Sequence, residues 1–216
     1  MRTEFQSSPV GQGVSARAKV AELASHSARA ALTLARTIRH PWYRCQAIAS
    51  VVERNHSIAG AVALLNEALD AAYSEDEPNR VVSVSYWPLA LLAKHDPVNA
   101  AEHTFRLLGI IAKEPHGLRR LDGLCAILNA VAPLPELRKE VLTPLLETAK
   151  RSSGWRTERL MNGVILTLSA HAAAHRVLPA RVARRPGGAR PHRGHAGRDA
   201  GGHYRTAKPG APKPCP

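Results

Sequence analysis

The chain has 216 residues, 4% of them aromatic, with a formal net charge of +13 and three cysteines. This length supports one domain with a buried core. No run of about 18 apolar residues is present, so no membrane-spanning helix is expected. An odd number of cysteines without a CxxC pair argues against a disulfide framework or a zinc site. The composition therefore favours a cytoplasmic protein with reduced thiols and no membrane partner.

The positive charge is concentrated at the C-terminal end. Residues 1–175 carry a net charge of +4, whereas residues 176–216 carry +9. The first part is expected to have an ordinary mixed-charge surface. Any attraction to nucleic acid is expected to come mainly from the second part.

Amphipathic helices are predicted along most of the chain. Residues 1–15 are polar and contain Gly, Ser and Pro, which predicts a flexible leader. In residues 16–174, apolar residues recur at intervals of three and four, as one face of an α-helix requires. We expect about eight helices and no strands in this helical repeat domain. The predicted apolar faces include Leu65, Ala68 and Leu69; Val81, Val84, Trp87 and Leu91; Leu121, Leu124 and Leu128; and Leu137, Val141 and Leu145.

Helix breaks recur at nearly constant intervals. They are marked by Pro41, Pro78, Pro115 and Gly154, which are 37, 37 and 39 residues apart. Self-similarity at about 35 to 40 residues, with two helices per unit, is typical of an α-solenoid, in which stacked helix pairs complete one another's core. We therefore predict an all-α fold, an α-solenoid of about four antiparallel helix pairs.

A second pattern consists of a small residue, a large apolar residue four positions later and a small or apolar residue three positions after that. Its instances are Ala28, Leu32, Ala35; Ala61, Leu65, Ala68; Ala101, Phe105, Leu108; and Leu142, Leu146, Ala149. Together with the segment CQAIASVV one helix earlier, the spacing A-x3-L-x2-A resembles the tetratricopeptide repeat. The first-helix positions of that comparison are Cys45, Ile48, Ala49 and Val52.

The resemblance has departures. The tryptophan and glycine of the family's first helix are absent, Tyr73 stands where its closing proline would be, and the longer spacings are similar to those of HEAT-like pairs. The resemblance implies a scaffold with a concave groove that binds a peptide or another protein. No binding residue of the family carries over onto a matching position.

Arginines follow every break. They are Arg44, Arg80, Arg119 with Arg120, and Arg156 with Arg159. In one interpretation each arginine covers the seam between units and pairs with a nearby acid such as Glu77, Asp122 or Glu158. In the other, Arg44, Arg80, Arg120 and Arg159 align into a positive edge for an acidic peptide or a phosphate backbone. The first interpretation is the preferred one.

Two tryptophans stand at equivalent positions, since Trp42 follows Pro41 and Trp155 follows Gly154. We expect both to pack between stacked helix pairs. Exposed in a groove, they would instead be anchors for a partner. The candidate partner-binding residues are therefore these two tryptophans and the four arginines of the predicted edge.

Catalytic and cofactor motifs are not found. No phosphate-binding loop and no nucleophilic serine motif occurs, so no enzyme activity and no cofactor are predicted. Cys45 and Cys125 lie on apolar helix faces and are expected to be buried. His171 and His175 share a helix face, but no third ligand accompanies them, which favours a capping or solvated role over a metal site. The acidic segment 74–78 is expected to form a solvated loop.

The C-terminal segment 175–216 differs in composition from the rest. Residues 176–216 contain seven prolines and seven glycines, which predicts disorder. One interpretation is a basic arm that binds nucleic acid, and the other is GC-rich DNA translated in the wrong frame. The sequence as a whole predicts a non-catalytic protein-binding scaffold, with a nucleic-acid-binding helical repeat protein as the alternative.

Overall fold

The computed structural model describes the backbone of residues 9–55 and 57–182 and the side chains of residues 11–55 and 57–172. This part of the chain forms nine α-helices and no strand, which confirms the all-α prediction there. In chain order the helices are α1 (Pro9–Leu23), α2 (Ala28–Thr37), α3 (Pro41–Arg54), α4 (Ala61–Ala72), α5 (Pro78–His95), α6 (Pro97–Ile111), α7 (Gly117–Ala130), α8 (Pro135–Lys150) and α9 (Trp155–Val182).

The helical region extends beyond the predicted boundaries at both ends. α1 begins within the predicted leader, residues 1–15, and α9 continues into the predicted tail, residues 175–216. Residues 1–8 and 183–216 lie outside the described residues. For those two segments, flexibility and disorder stay predictions.

Local signals explain where the helices begin. Proline lies in the first turn of α3, α5, α6 and α8, where it removes no helical hydrogen bond and its φ angle suits the helix. Ser27 caps α2 by accepting a hydrogen bond from the N–H of Ala30 at 3.3 Å, and Asp96 caps α6 by accepting one from Asn99 at 3.1 Å. Pro115 lies in the break between α6 and α7, as predicted, and α7 begins two residues later at Gly117.

The odd-numbered helices form a continuous row. Each helix from α1 to α7 packs against the next helix in the chain, and each odd-numbered helix also packs against the next odd-numbered one, from α1 to α9. The starts of α3, α5, α7 and α9 lie at residues 41, 78, 117 and 155, that is 37, 39 and 38 residues apart. The regular spacing in sequence therefore corresponds to a regular succession of contacts.

One apolar core runs through the helices. The predicted faces of α5, α7 and α8 are buried, with two exceptions: Trp87 in α5 and Ala149, which was predicted on the same face of α8, are half-buried. The largest fully buried side chains are Ile48, Leu65, Leu69, Leu89, Leu92, Leu107, Ile111, Leu121, Leu124, Ile127, Leu128 and Leu145.

Two residues predicted to pack in the core are exposed instead. Phe105 is 53% exposed and Leu146 is 46% exposed. The buried residues next to them are Thr104 in α6 and Leu145 in α8. The sequence pattern was placed one residue too far along both helices, and one residue corresponds to a rotation of about 100° around the helix.

Side-chain hydrogen bonds also link helices about one unit apart. Arg36 of α2 pairs with Glu67 of α4 at 2.7 Å, the Trp87 indole of α5 donates to Glu53 of α3 at 3.2 Å, and the Thr167 hydroxyl of α9 donates to Asn129 of α7 at 2.8 Å. Arg17 of α1 similarly donates to Gln46 of α3. These bonds join successive members of the odd-numbered or even-numbered set.

Gly123 of α7 provides a test of this packing. An added Cβ would lie 2.5 Å from Cδ1 of Ile111. Gly123→Ala is expected to lower the free energy of unfolding by about 1–3 kcal/mol, because overpacking outweighs the gain in helix propensity of about 1 kcal/mol. Urea denaturation measures this change.

The matched control is Gly109→Ala in α6, where nothing lies within 4 Å of an added Cβ. This change is expected to raise the free energy of unfolding by up to about 1 kcal/mol. Equal changes in the free energy of unfolding for Gly123→Ala and Gly109→Ala would contradict the close approach of α6 and α7 at Gly123.

Candidate functional site

A buried glutamate joins the starts of two odd-numbered helices. Glu75 has a side chain only 5% exposed, and its Oε1 accepts a hydrogen bond from the backbone N–H of Trp42 in α3 at 2.8 Å. Its Oε2 lies 3.0 Å from Nη2 of Arg80 in α5. Helix α3 has no side-chain cap of its own, so Glu75 acts as its cap from 33 residues away. The prediction that segment 74–78 is a solvated loop is therefore wrong for Glu75.

A second buried glutamate occupies the equivalent position before α7. Glu114 stands three residues before the start of α7, as Glu75 does before α5, and is 3% exposed. Its carboxylate accepts a hydrogen bond from the N–H of His116 at 3.1 Å, and its carbonyl accepts one from Nε of Arg120 at 2.8 Å. The connection before each of these two odd-numbered helices is therefore fixed by a buried acid and a following arginine.

The four candidate arginines have different surroundings. Arg80 binds Glu75 and Arg120 binds the Glu114 carbonyl, so both are held by the segment just before their own helix. The hydrogen bond from Arg36 is the largest cause that lowers the pKa of Glu67. Arg44 is half-buried, and its charge lowers this pKa a little further. Arg159 is exposed and makes no hydrogen bond or ion pair with the described residues. The alignment of the four arginines into a binding edge stays a prediction.

The two candidate tryptophans differ in exposure. Trp42 is half-buried, with the guanidinium of Arg80 5.9 Å from its ring centroid. Trp155 is 65% exposed and contacts Arg156 of its own helix, with the guanidinium 5.3 Å from its ring. The expectation that both pack between stacked helix pairs therefore does not hold for Trp155.

A cavity of about 230 Å³ lies between α6, α7 and α8. This volume is below the range of about 300–1,000 Å³ typical of small-molecule pockets, so the cavity suits a single apolar side chain. Apolar residues line most of it, namely Leu108, Ile111, Ala112, Pro115, Leu124 and Pro144. Arg120, Arg151 and Glu147 are also part of its lining.

The charge around this cavity favours an anion beside the apolar group. Arg120 is oriented by its hydrogen bonds to the Glu114 carbonyl. Arg151 is exposed, and its side chain has no hydrogen-bond or ion-pair partner among the described residues. Glu147 is the single acidic residue of the lining. A ligand that combines an apolar group with a nearby carboxylate would therefore be complementary to the site.

A polar cluster connects α4 to α6 on another part of the surface. The Tyr73 hydroxyl lies 2.7 Å from Nδ1 of His103, and Nε2 of His103 lies 3.1 Å from Oδ1 of Asn66. Because an amide oxygen only accepts, Nε2 carries the proton and Nδ1 accepts from Tyr73. The guanidinium of Arg106 lies 3.6 Å from the Tyr73 ring centroid. Both ring nitrogens of His103 have hydrogen-bond partners, so this histidine joins α6 to α4.

Two cysteines and a histidine of α9 are the other chemical groups predicted from the sequence that lie among the described side chains. Cys45 and Cys125 are buried as predicted, and burial raises the pKa of both thiols, that of Cys125 to about 12. Nδ1 of His171 lies 2.9 Å from the carbonyl of Thr167 one turn earlier, while the side chain of His175 is outside the described part. Among the described residues, no group of three or more His, Cys, Asp or Glu is placed to hold a metal ion. None of the described helices is long and apolar enough to cross a bilayer.

Comparison with known proteins assigns no family. No protein-family model matches the chain, and searches of curated proteins and of solved structures give no significant match.

Glu75 provides a stability test at this site. Glu75→Gln is expected to lower the free energy of unfolding by about 1–3 kcal/mol, because the half-exposed Arg80 and the N–H of Trp42 lose a charged acceptor that is buried. Glu77→Gln is the matched control, since Glu77 is 53% exposed and pairs with Arg119 at 3.3 Å. It should change stability by less than about 0.5 kcal/mol. If thermal or urea denaturation shows that Glu75→Gln and Glu77→Gln lower the free energy of unfolding equally, the capping role of Glu75 is contradicted.

His103 provides a pH test. Burial, and then the charge of Arg106, lower the pKa of His103 below its usual 6.5. The unfolded chain therefore binds a proton that the folded chain does not, so this contribution to stability is complete above pH 6.5 and is lost as the pH falls below it. His103→Gln should remove that part of the pH dependence, measured as the difference in unfolding free energy between neutral and acidic solution. An unchanged pH dependence in the variant would contradict the neutral state of His103.

Proposed function

We propose that the protein is a non-catalytic scaffold of α-helical repeats that binds another protein through a short segment with an apolar anchor and an adjacent acidic group. Its architecture would be an α-solenoid of about four antiparallel helix pairs, similar to tetratricopeptide or HEAT repeats. The observation that carries the binding proposal is the cavity between α6, α7 and α8, with its apolar lining and two arginines.

The repeat architecture is supported by three features that agree. From α3 to α9, the odd-numbered helices start at regular intervals of 37 to 39 residues. Each packs on the next member of the row. The side-chain hydrogen bonds between helices connect residues 29 to 42 positions apart, which is about one unit, as nearest-neighbour stacking requires.

The cavity supports an anchor side chain rather than a metabolite. Its volume is small, and its apolar residues come from α6, α7 and α8, so a bound side chain would contact two neighbouring helix pairs at once. Arg151 is available to a carboxylate, and Arg120 is already oriented by the backbone. Interface energy is commonly concentrated in a few anchors of this kind.

The nucleic-acid alternative has weaker support from the contacts. Two of the four predicted phosphate-binding arginines, Arg80 and Arg120, already bind acceptors within the protein. The basic residues of the segment 183–216 lie outside the described part. A phosphate-driven complex would weaken steeply with salt, and this property separates the two proposals.

The test is affinity capture from native lysate with the full-length chain, with and without nuclease and at two salt concentrations. The parent protein is expected to retain a discrete partner protein under all these conditions. Leu108→Trp, which fills the cavity, and Arg151→Glu, which reverses the free charge, are each expected to reduce capture by at least about ten-fold, equivalent to about 1.4 kcal/mol.

Two matched controls lie outside the cavity. Phe105→Trp makes a similar enlargement on the same helix at an exposed position, and Arg54→Glu makes the same charge reversal at the exposed end of α3. Both should capture the partner as the parent does. The proposal is contradicted if the Leu108→Trp variant captures the partner as well as the parent protein does. It is also contradicted if nuclease or moderate salt releases the captured material.

A further inference from the structure

The turn between α8 and α9 carries a serine where the turns before α5 and α7 carry a buried glutamate. Glu75, Glu114 and Ser152 each stand three residues before the start of the following odd-numbered helix. The backbone N–H of each donates to the carbonyl three residues earlier, at 3.1, 3.1 and 3.0 Å. The three residues therefore occupy the same place in the same kind of turn.

Ser152 also lies near the start of the preceding odd-numbered helix, as Glu75 does. Glu75 accepts a hydrogen bond from the N–H of Trp42, the second residue of α3. The hydroxyl oxygen of Ser152 lies 3.4 Å from the position that a Cβ would take on Gly117, the first residue of α7. The equivalence of the two side chains therefore holds in space as well as in the chain.

The surroundings of Ser152 suit a negative group. Ser152, Arg120 and Arg151 line the same cavity, and Glu147 is the single acid of that lining. The side chain of Arg151 has no hydrogen-bond or ion-pair partner among the described residues. The guanidinium of Arg120 donates to a backbone carbonyl, which carries no net charge. The lining therefore has an excess of positive charge that a neutral hydroxyl does not balance.

The hydroxyl of Ser152 is held in place by one hydrogen bond, which it donates to the Thr148 carbonyl at 3.0 Å. Ser152 is half-buried, and the other residues of the turn 151–154 are exposed. Opening a short surface turn and breaking one hydrogen bond cost little compared with unfolding a helix. Lys150 and Arg151, which directly precede the serine, are exposed and complementary to an enzyme with an acidic substrate cleft.

We propose that Ser152 is a phosphorylation site, modified by a protein kinase that uses a nucleoside triphosphate and recognises the preceding basic pair. The serine oxygen forms a bond to the γ-phosphorus, and the bond from that phosphorus to its bridging oxygen breaks. The nucleoside diphosphate leaves with the electron pair, and the hydroxyl proton passes to a base of the kinase. Phosphoserine carries a charge of about −1.5 to −2 at pH 7 and three acceptor oxygens. It gives this turn the negative group that Glu75 and Glu114 give the other two.

The phosphate pairs with the arginines of the cavity lining. Charge-assisted hydrogen bonds to Arg151 and Arg120 join the turn to the start of α7. Glu147 repels the phosphate, but it is exposed and two cations face it. The same pairing removes Arg151 from the acidic group of a partner, so phosphorylation releases the partner. This release rests on the function proposed above, whereas the modification itself does not.

The first test places phosphoserine at position 152 of the full-length chain, made in a host that decodes one codon as phosphoserine. The midpoint of thermal unfolding is expected to rise by at least about 2 °C over that of the unmodified chain. The matched control carries phosphoserine at position 153, where Ser153 is exposed in the same turn. Both phosphates lie near the start of α9, so the difference between them measures what the arginines add. An equal rise at the two positions, or no rise at position 152, would overturn the proposal.

A double-mutant cycle identifies the cation. Arg151→Gln is expected to leave the midpoint of the unmodified chain unchanged, because Arg151 is exposed and has no partner among the described residues. It is expected to remove about half or more of the rise that phosphoserine at position 152 causes. A rise that is independent of Arg151 would contradict the pairing.

The modification is tested directly by mass spectrometry of the protein purified from its native cells, in which phosphate is expected on Ser152. A native protein without phosphate on Ser152 overturns the proposal. Capture of the partner is expected to fall by at least about ten-fold with phosphoserine at position 152. Capture that falls with Leu108→Trp but not with the phosphate contradicts the release alone. Capture that falls with neither contradicts the proposed function, and the unfolding midpoints then still decide the fate of the phosphorylation site.

Discussion

The structure depends on the packing of each odd-numbered helix against the next. Ile48, Leu89 and Leu128 are fully buried in three successive members of this row, and each such side chain contributes about 1.5–3 kcal/mol when removed from water. A single helix pair leaves one of its apolar faces uncovered, so each pair is stable only beside a neighbour. Each even-numbered helix from α2 to α6 packs against the odd-numbered helices before and after it, and polar contacts lie both in the turns and between helices.

These polar contacts decide which arginine side chains have a partner within the protein and which do not. Glu75 and Glu114 hold Arg80 and Arg120 at the helix starts, so part of the positive charge near the turns is used to join units. Near the end of α8 the acid of the cavity lining, Glu147, is exposed, and the side chain of Arg151 has no partner among the described residues. Under the proposed function, an acidic group would therefore be bound near the end of α8, beside Arg151.

The sequence was sufficient for features that depend on local spacing. Period-three-and-four patterns correctly identified Leu121, Leu124 and Leu128 as core residues, and prolines located the starts of α3 and α5. It was insufficient where two segments far apart in the chain must meet. The burial of Glu75 depends on the N–H of Trp42, and the cavity requires three helices at once, so neither has a signature in one short segment. Phe105 was misplaced because the buried position between Ala100 and Leu107 is occupied by Thr104, whose hydroxyl donates to the Ala100 carbonyl, whereas the pattern expects a large apolar residue there.

The hydrogen bonds that link one unit to the next, such as Arg36 to Glu67 and Thr167 to Asn129, have a consequence for folding kinetics. Because they span no more than a few tens of residues, closing each loop costs little chain entropy. Chains with such local contacts fold quickly. An N-terminal unit can also become structured while later units are still being synthesised, so the array can assemble in the order in which it leaves the ribosome.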